Sequence, residues 1–183
     1  MTDLLRFEAV TLRRGGRLLF QGLDLALGPG DALQVTGPNG SGKSSLIRLA
    51  AGLLRAEAGQ VRRSTLALAD DDLALDREVP LARALSFWGG ASDEGLEAVG
   101  LHDLAAVPVR LLSSGQAKRA ALARVVASGA PLWLLDEPLN GLDSAAASRL
   151  SSIVERHRAG GGAVLAASHQ PLAGAWKTLE LGA

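Results

Sequence analysis

Nine residues have the types and spacing to grip a chain of phosphates: Gly37-Pro38-Asn39-Gly40-Ser41-Gly42-Lys43-Ser44-Ser45. They fit G-x-x-x-x-G-K-[ST], the phosphate-binding loop. Gly37, Gly40 and Gly42 free the backbone to turn its N–H groups inward around an anion. Lys43 supplies a point charge for the outer phosphates. The Ser44 hydroxyl suits a Mg²⁺ that keeps most of its waters. The flanks agree. Ala32–Thr36 reads as a strand entering the loop, and Leu46–Ala51 as a helix leaving it and stopped by Gly52.

Two further clusters extend this chemistry. Leu132-Trp133-Leu134-Leu135 is a continuous apolar run, as expected of a strand buried on both faces, and it ends in Asp136-Glu137-Pro138. Asp136 is placed to hold Mg²⁺ waters opposite Ser44. Glu137 points one residue further and is expected to orient or deprotonate an attacking water. Upstream, Leu112-Ser113-Ser114-Gly115-Gln116 stands before a helix predicted from Gln116 to Ala127. Its free N–H groups and positive dipole end make a second anion site. A chain with two such sites, only one of them in the phosphate loop, can sandwich a nucleotide between two copies.

The elements that must position these groups follow in order. Leu5–Val10 and Leu18–Leu27 are predicted as a hairpin turned at Arg13–Arg17 and closed by Gly28-Pro29-Gly30-Asp31. Ala58–Val61 and Thr65–Ala69 are further strands. From Asp70-Asp71-Asp72 to Ala127 the chain becomes rich in Ala and Leu, with short helices near Pro80–Phe87 and Asp93–Val99. Trp88 is read as a packing residue, and His102 falls in a turn with no assigned role. Asp143 or Ser144 caps a helix running to about His157, with Leu150, Ile153 and Val154 on one face. Arg156, His157 and Arg158 lie in its last turn, where cations suit the dipole. Ala163–Ala167 is a second buried strand, and Trp176–Leu181 an edge strand.

The expected architecture is an α/β phosphate-loop NTPase core with an N-terminal antiparallel sheet. Residues 1–69 and 128–183 form the core, and 70–127 a helical insertion, within a single domain of 183 residues. Apolar residues make up 48% of the chain, enough for a full core, while 19 Lys+Arg balance 19 Asp+Glu. That balance offers no attraction to nucleic acid. The absence of Cys excludes disulfides and thiolate metal sites. The N-terminus carries Asp3 where a secretory signal needs cations, and no window approaches the roughly 18 apolar residues of a membrane span. Work at a membrane would therefore go through a partner.

Taken in order, these motifs resemble those of ABC-type ATPases over nearly the whole chain. Gly37–Ser45 resembles the Walker A loop and Leu112–Gln116 the signature, with Ser114 where Gly is usual. Leu132–Glu137 resembles Walker B, and Leu139-Asn140-Gly141-Leu142-Asp143 the D-loop, with Asp143 as its acid. Ala167-Ser168-His169 resembles the switch strand. The resemblance implies ATP and Mg²⁺ as ligands, with Glu137 and His169 catalytic and Ser44 and Asp136 at the metal. It also implies that Ser113, Ser114, Gly115 and Gln116 of a second copy close over the γ-phosphate in an ATP-bound homodimer.

Two positions depart from the family. Arg14 stands where an aromatic residue stacks on adenine; a guanidinium plane can stack in its place, with looser base selectivity. Asp72 stands where a Gln is usual at the entry to the insertion; a carboxylate can approach Mg²⁺ but cannot donate a hydrogen bond. His169-Gln170-Pro171-Leu172 and the compact insertion are most similar to the ATP-binding subunits of bacterial cytochrome c maturation (haem exporter) complexes. That resemblance implies integral-membrane partner subunits, a place on the cytoplasmic face of the inner membrane, and no haem bound by this chain itself. Three other readings stay open: an ATPase serving a transporter of lipid or another small molecule, a soluble, non-transport member of the family, and a nucleotide-binding module with little hydrolysis.

Overall fold

The computed structural model describes residues 3–182. Strands β1 (Leu5–Arg14) and β2 (Arg17–Leu27) form the hairpin, with Gly15 and Gly16 as its two-residue turn. Both glycines have positive φ, 57° and 79°, as a turn matching the strand twist requires. The strands run to the turn itself, so β1 is longer than its weak alternation suggested. Strand β4 (Ala58–Arg63) pairs with the other edge of β1 to complete an antiparallel sheet ordered β2-β1-β4.

The second sheet is parallel throughout and ordered β5-β6-β7-β3-β8. Its strands are β3 (Ala32–Thr36), β5 (Leu66–Ala69), β6 (Leu132–Asp136), β7 (Ala163–Ala167) and β8 (Lys177–Glu180). β3, β6 and β7 occupy its middle and are buried along nearly their whole length, which explains the unbroken apolar runs Leu132–Leu135 in β6 and Ala163–Ala167 in β7. Helix α1 (Lys43–Ala51) and the antiparallel sheet cover one face, where Leu33, Val35, Leu46, Ile47, Leu132, Leu134 and Leu165 share a core. Helices α4 (Ser114–Ala127) and α5 (Ser144–Ala159) cover the other, against Trp133, Leu135, Val164 and Ala166. Successive strand residues alternate between the two cores, as period two demands.

The chain between β5 and β6 holds α2 (Leu81–Ser86), α3 (Ser92–Ala98), two single 3₁₀ turns and α4. α3 lies directly on α4, and a Cβ at Gly95 would come within 2.6 Å of the Ala123 carbonyl. The small residues Ala120, Ala123 and Ala127 allow that approach, and all three are buried.

Two expectations change. His157 is not a solvent-facing cation on the α5 dipole. Its ring stacks on Trp133 at 3.7 Å, and Nε2 lies 3.2 Å from the Pro131 carbonyl. Burial lowers its pKa, outweighing the backbone contacts to Pro131 and Ala163, so the neutral ring is favoured there. Trp88 is only partly packed: it is 37% exposed, with the Arg124 guanidinium over its ring at 4.7 Å and Phe87 edge-on at 5.6 Å.

Candidate functional site

Because β3, β6 and β7 are adjacent and parallel, their carboxyl ends open at one rim, the usual ligand position in an α/β sheet. The phosphate loop leaves β3, Asp136 and Glu137 end β6, and Ser168-His169 follow β7. A cavity of about 680 Å³ lies there, and Arg14, Asn39, Lys43, Ser44, Glu137 and His169 are among its lining.

The loop has the shape of an anion cradle. Gly37, Gly40 and Gly42 take φ of 135°, 80° and 110°, so any side chain at these positions would be strained. Gly42 caps α1 without a side-chain hydrogen bond, leaving the first N–H groups of the helix to serve an anion. Lys43 is buried, and its ammonium donates to the carbonyls of Gly37 at 2.8 Å and Pro38 at 3.1 Å. The Ser41 hydroxyl is buried with no protein partner, an orphan that a phosphate oxygen would satisfy. Ser45 is buried beneath Arg14, whose Nη1 donates to its Oγ at 3.4 Å.

Across the rim, the Ser44 hydroxyl donates to Asp136 Oδ1 at 3.0 Å. Burial raises the Asp136 pKa; the Ser44 hydrogen bond opposes this, Glu137 and Asp71 add to it, and Arg48 opposes it. A carboxylate held at that cost is a place where a cation would be welcome. The pair fits Mg²⁺ in donor type, both atoms being hard oxygens.

Glu137 has φ of +48°, uncommon for a residue with a side chain. Its N–H donates to the Ala167 carbonyl at 2.8 Å, and its carbonyl accepts from Asn140 at 3.1 Å. These bonds hold the strained backbone and turn the carboxylate to the cavity. There it meets His169: Nδ1 lies 2.8 Å from Oε2, and the His169 N–H donates to the same oxygen at 3.4 Å. A carboxylate accepts in such a pair, which puts the ring proton on Nδ1. Nε2 then accepts from the Gln170 side-chain amide at 3.4 Å.

Ser113, Ser114, Gly115 and Gln116 are not part of this cavity. Ser113 and Ser114 are exposed at the start of α4, which begins earlier than the spacing suggested. Ser113 and Gln116 form a capping box: Ser113 Oγ accepts from the Gln116 N–H at 3.3 Å, and Gln116 Oε1 from the Ser113 N–H at 2.8 Å. A Cβ on Gly115 would lie 3.4 Å from the Gly141 carbonyl, so this helix start rests on the loop following Glu137. Asp143 caps α5, accepting from the Ala146 N–H at 2.7 Å.

Asp72 does not line this cavity. Asp70 accepts from the Asp72 N–H and Asp72 from the Ala74 N–H, both at 3.1 Å, and these local turns carry Asp72 into a separate groove of about 810 Å³ with Phe87 and Trp88. Asp71, not Asp72, is the acid of the run whose charge reaches Asp136. Three lining residues went unassigned from the sequence: Arg17, Leu19 and Asn140. The hairpin register holds the signal for Arg17, since it pairs with Arg14 across the two-residue turn.

The ABC transporter family profile matches residues 20–140. The cytochrome c biogenesis ATP-binding export protein CcmA of Sphingopyxis alaskensis is 58% identical, over 94% of this chain and 93% of its own length. Its counterpart in Zymomonas mobilis is 49% identical, over 94% of this chain and 81% of its own. Among solved structures, an ABC transporter of metal-chelate type in an inward-facing conformation superposes with a TM-score of 0.82 at 26% identity, covering 99% of this chain and 80% of that one. A nucleotide-binding cavity at the strand ends and relatives matched almost end to end leave one conclusion: the chain belongs to the ABC transporter family, alongside its cytochrome c biogenesis ATP-binding export proteins.

Proposed function

We propose that this chain is the ATP-hydrolysing subunit of a membrane complex that handles haem for cytochrome c biogenesis. The observation that carries the ATPase reading is the meeting of Lys43, Ser44, Glu137 and His169 at one cavity, on the ends of adjacent strands. The cargo is argued from similarity to relatives named for cytochrome c biogenesis and export.

In this reading Lys43 and the N–H groups of the loop and α1 hold the β- and γ-phosphates of ATP. Ser44 and Asp136 would hold Mg²⁺, whose charge would offset that of the phosphate oxygens. Glu137 orients the attacking water and takes its proton, and His169 steadies the Glu137 carboxylate through Nδ1. The Arg14 plane takes the base. The second copy supplies Ser113, Ser114 and Gly115, of which the two serines are exposed at the helix start. Gln116 keeps that helix start in shape, and Asp143 does the same for α5 beside the dimer face.

Residues 1–69 and 128–183 act as the nucleotide-binding core, and 70–127 as the insertion that carries the signature. The groove beside Phe87 and Trp88 suits a membrane subunit, since Phe87 exposes an apolar ring beside Asp71, Asp72 and Asp76. No helix among the described residues is long and apolar enough to cross a membrane, so attachment to the cytoplasmic face of the inner membrane would run through that partner.

The test pairs a turnover assay with genetics. Glu137→Gln is expected to bind ATP with turnover reduced at least about 10²-fold. A strain deprived of the wild-type chain is expected to lose assembled c-type cytochromes, and Glu137→Gln not to restore them. Turnover unchanged in Glu137→Gln would refute the base; c-type cytochromes assembled normally without the chain would refute the cargo.

A further inference from the structure

Gln34 sits in the middle of β3, only 6% exposed, with the apolar core residues Leu33 and Val35 on either side. Those two side chains join the core beneath α1, and period two sends the Gln34 carboxamide to the opposite face. A buried amide is unfavourable there unless its donor and acceptor are paired. All its hydrogen bonds go to one place. Nε2 donates to the Gln170 carbonyl at 2.7 Å and to the Ser168 carbonyl at 3.5 Å, and Oε1 accepts from the Leu172 N–H at 3.2 Å. The loop they grip, residues 168–172, carries His169.

Ser168 closes the same bracket from inside. It is fully buried; its hydroxyl donates to the Gln170 carbonyl at 2.8 Å and accepts from the Gln170 N–H at 3.1 Å, and its own N–H donates to Val35 at 3.2 Å. The strand that feeds the phosphate loop at Gly37 therefore also clamps the loop of His169. One strand sets both the seat of the phosphates and the height of the ring that holds Glu137.

We infer that Gln34 is a positioning residue for catalysis: its carboxamide locks the 168–172 loop to β3, so that His169 meets the Glu137 carboxylate in register with the bound phosphates. The inference rests on the proposed role of His169. It predicts that losing the clamp harms the chemical step and spares nucleotide binding, because nothing in the phosphate loop bonds to Gln34.

The test is Gln34→Met in the full chain, a change that keeps an unbranched side chain of similar size and removes both hydrogen-bonding ends. Its kcat for ATP is expected to fall about 10- to 100-fold, as for a misplacement of order 1 Å, with KM for ATP unchanged. In a His169→Ala background the same substitution is expected to add no further loss, since Gln34 acts through His169. A general weakening of the fold would instead lower kcat by the same factor in both backgrounds. If Gln34→Met fails to fold, Gln34→Asn asks the same question with a carboxamide one methylene too short to reach the loop. Wild-type kcat in the variant that folds, or a loss that multiplies with His169→Ala, would overturn the inference. If His169→Ala itself turned over normally, the role of His169 would fall first, a result distinguishable from failure of the clamp alone.

Discussion

Ser113 separates two kinds of energy that a single residue can carry. Its hydroxyl caps α4 and completes a capping box with Gln116. Ser113→Ala removes that cap at about 1 kcal/mol, within the usual range for such losses. In a domain of this size that lowers Tm by roughly 2–4 °C and leaves nearly all molecules folded at 25 °C. Ser113→Asp should keep the cap, since Asp is as good an N-cap as Ser and its charge suits a helix N-terminus. Its Tm should match or exceed the wild type. Turnover should move the other way. If this exposed helix start closes over the terminal phosphate of a second copy, the new carboxylate faces phosphate oxygens. Two unit charges 4 Å apart at an effective dielectric of about 20 repel by about 4 kcal/mol, close to 10³-fold in rate. Screening at the solvent-facing rim leaves about 10²-fold as the expected loss. The assay is ATP turnover by the chain in its complex, beside thermal unfolding of the same preparations. Ser113→Asp with wild-type turnover and wild-type Tm would show that Ser113 never meets a phosphate, and the sandwich would be wrong.

Asp136→Asn should raise the Tm of the nucleotide-free chain while abolishing turnover. Its raised pKa means that the ionised form is disfavoured in the fold, so wild-type stability falls as pH rises from the ordinary Asp range through the raised value, and the amide escapes that loss. Unfolding measured from acid to neutral pH checks it: a constant Tm difference across that range would refute the assignment. His157 has the opposite sign, since burial lowers its pKa. Stability should fall as pH drops below about 6.5, where the unfolded chain takes up the proton first, and level off below the folded value. His157→Phe keeps the stack on Trp133 and should remove that acid-side slope, as read by denaturant unfolding from pH 7.5 to 5.

Much of the fold is legible in the sequence because its signals are local. Unbroken apolar runs mark Leu132–Leu135 and Ala163–Ala167 as strands covered on both faces, and their parallel pairing follows from the helices between them. Gly15 and Gly16 turn the first hairpin because each needs positive φ. The capping residues Ser113 and Asp143 start their helices through bonds to groups three residues on. His157 shows where this kind of reading stops. A last-turn cation is the expectation for an exposed helix end, and nothing near residue 157 announces that Trp133 waits across the interface to bury the ring. The acidic run shows it again: the family resemblance favoured Asp72, but the turns made by Asp70 and Asp72 set it in the groove beside Phe87 and Trp88.

The amino-acid sequence by itself determined that a phosphate loop, a strand-end acid pair, a serine-bearing helix start and a histidine after a buried strand all exist, since each is written in contiguous residues. Only the tertiary structure decided what each of them faces. The strand order β6-β7-β3 brings Glu137, His169 and Lys43 to one rim, the bond of the Glu137 N–H to Ala167 holds its backbone at φ +48°, and the reach of Gln34 from β3 clamps the loop of His169. Those facts depend on contacts between residues far apart in the chain. Their energies come from burial and from pairing of polar groups across elements, and no short window of sequence contains both partners.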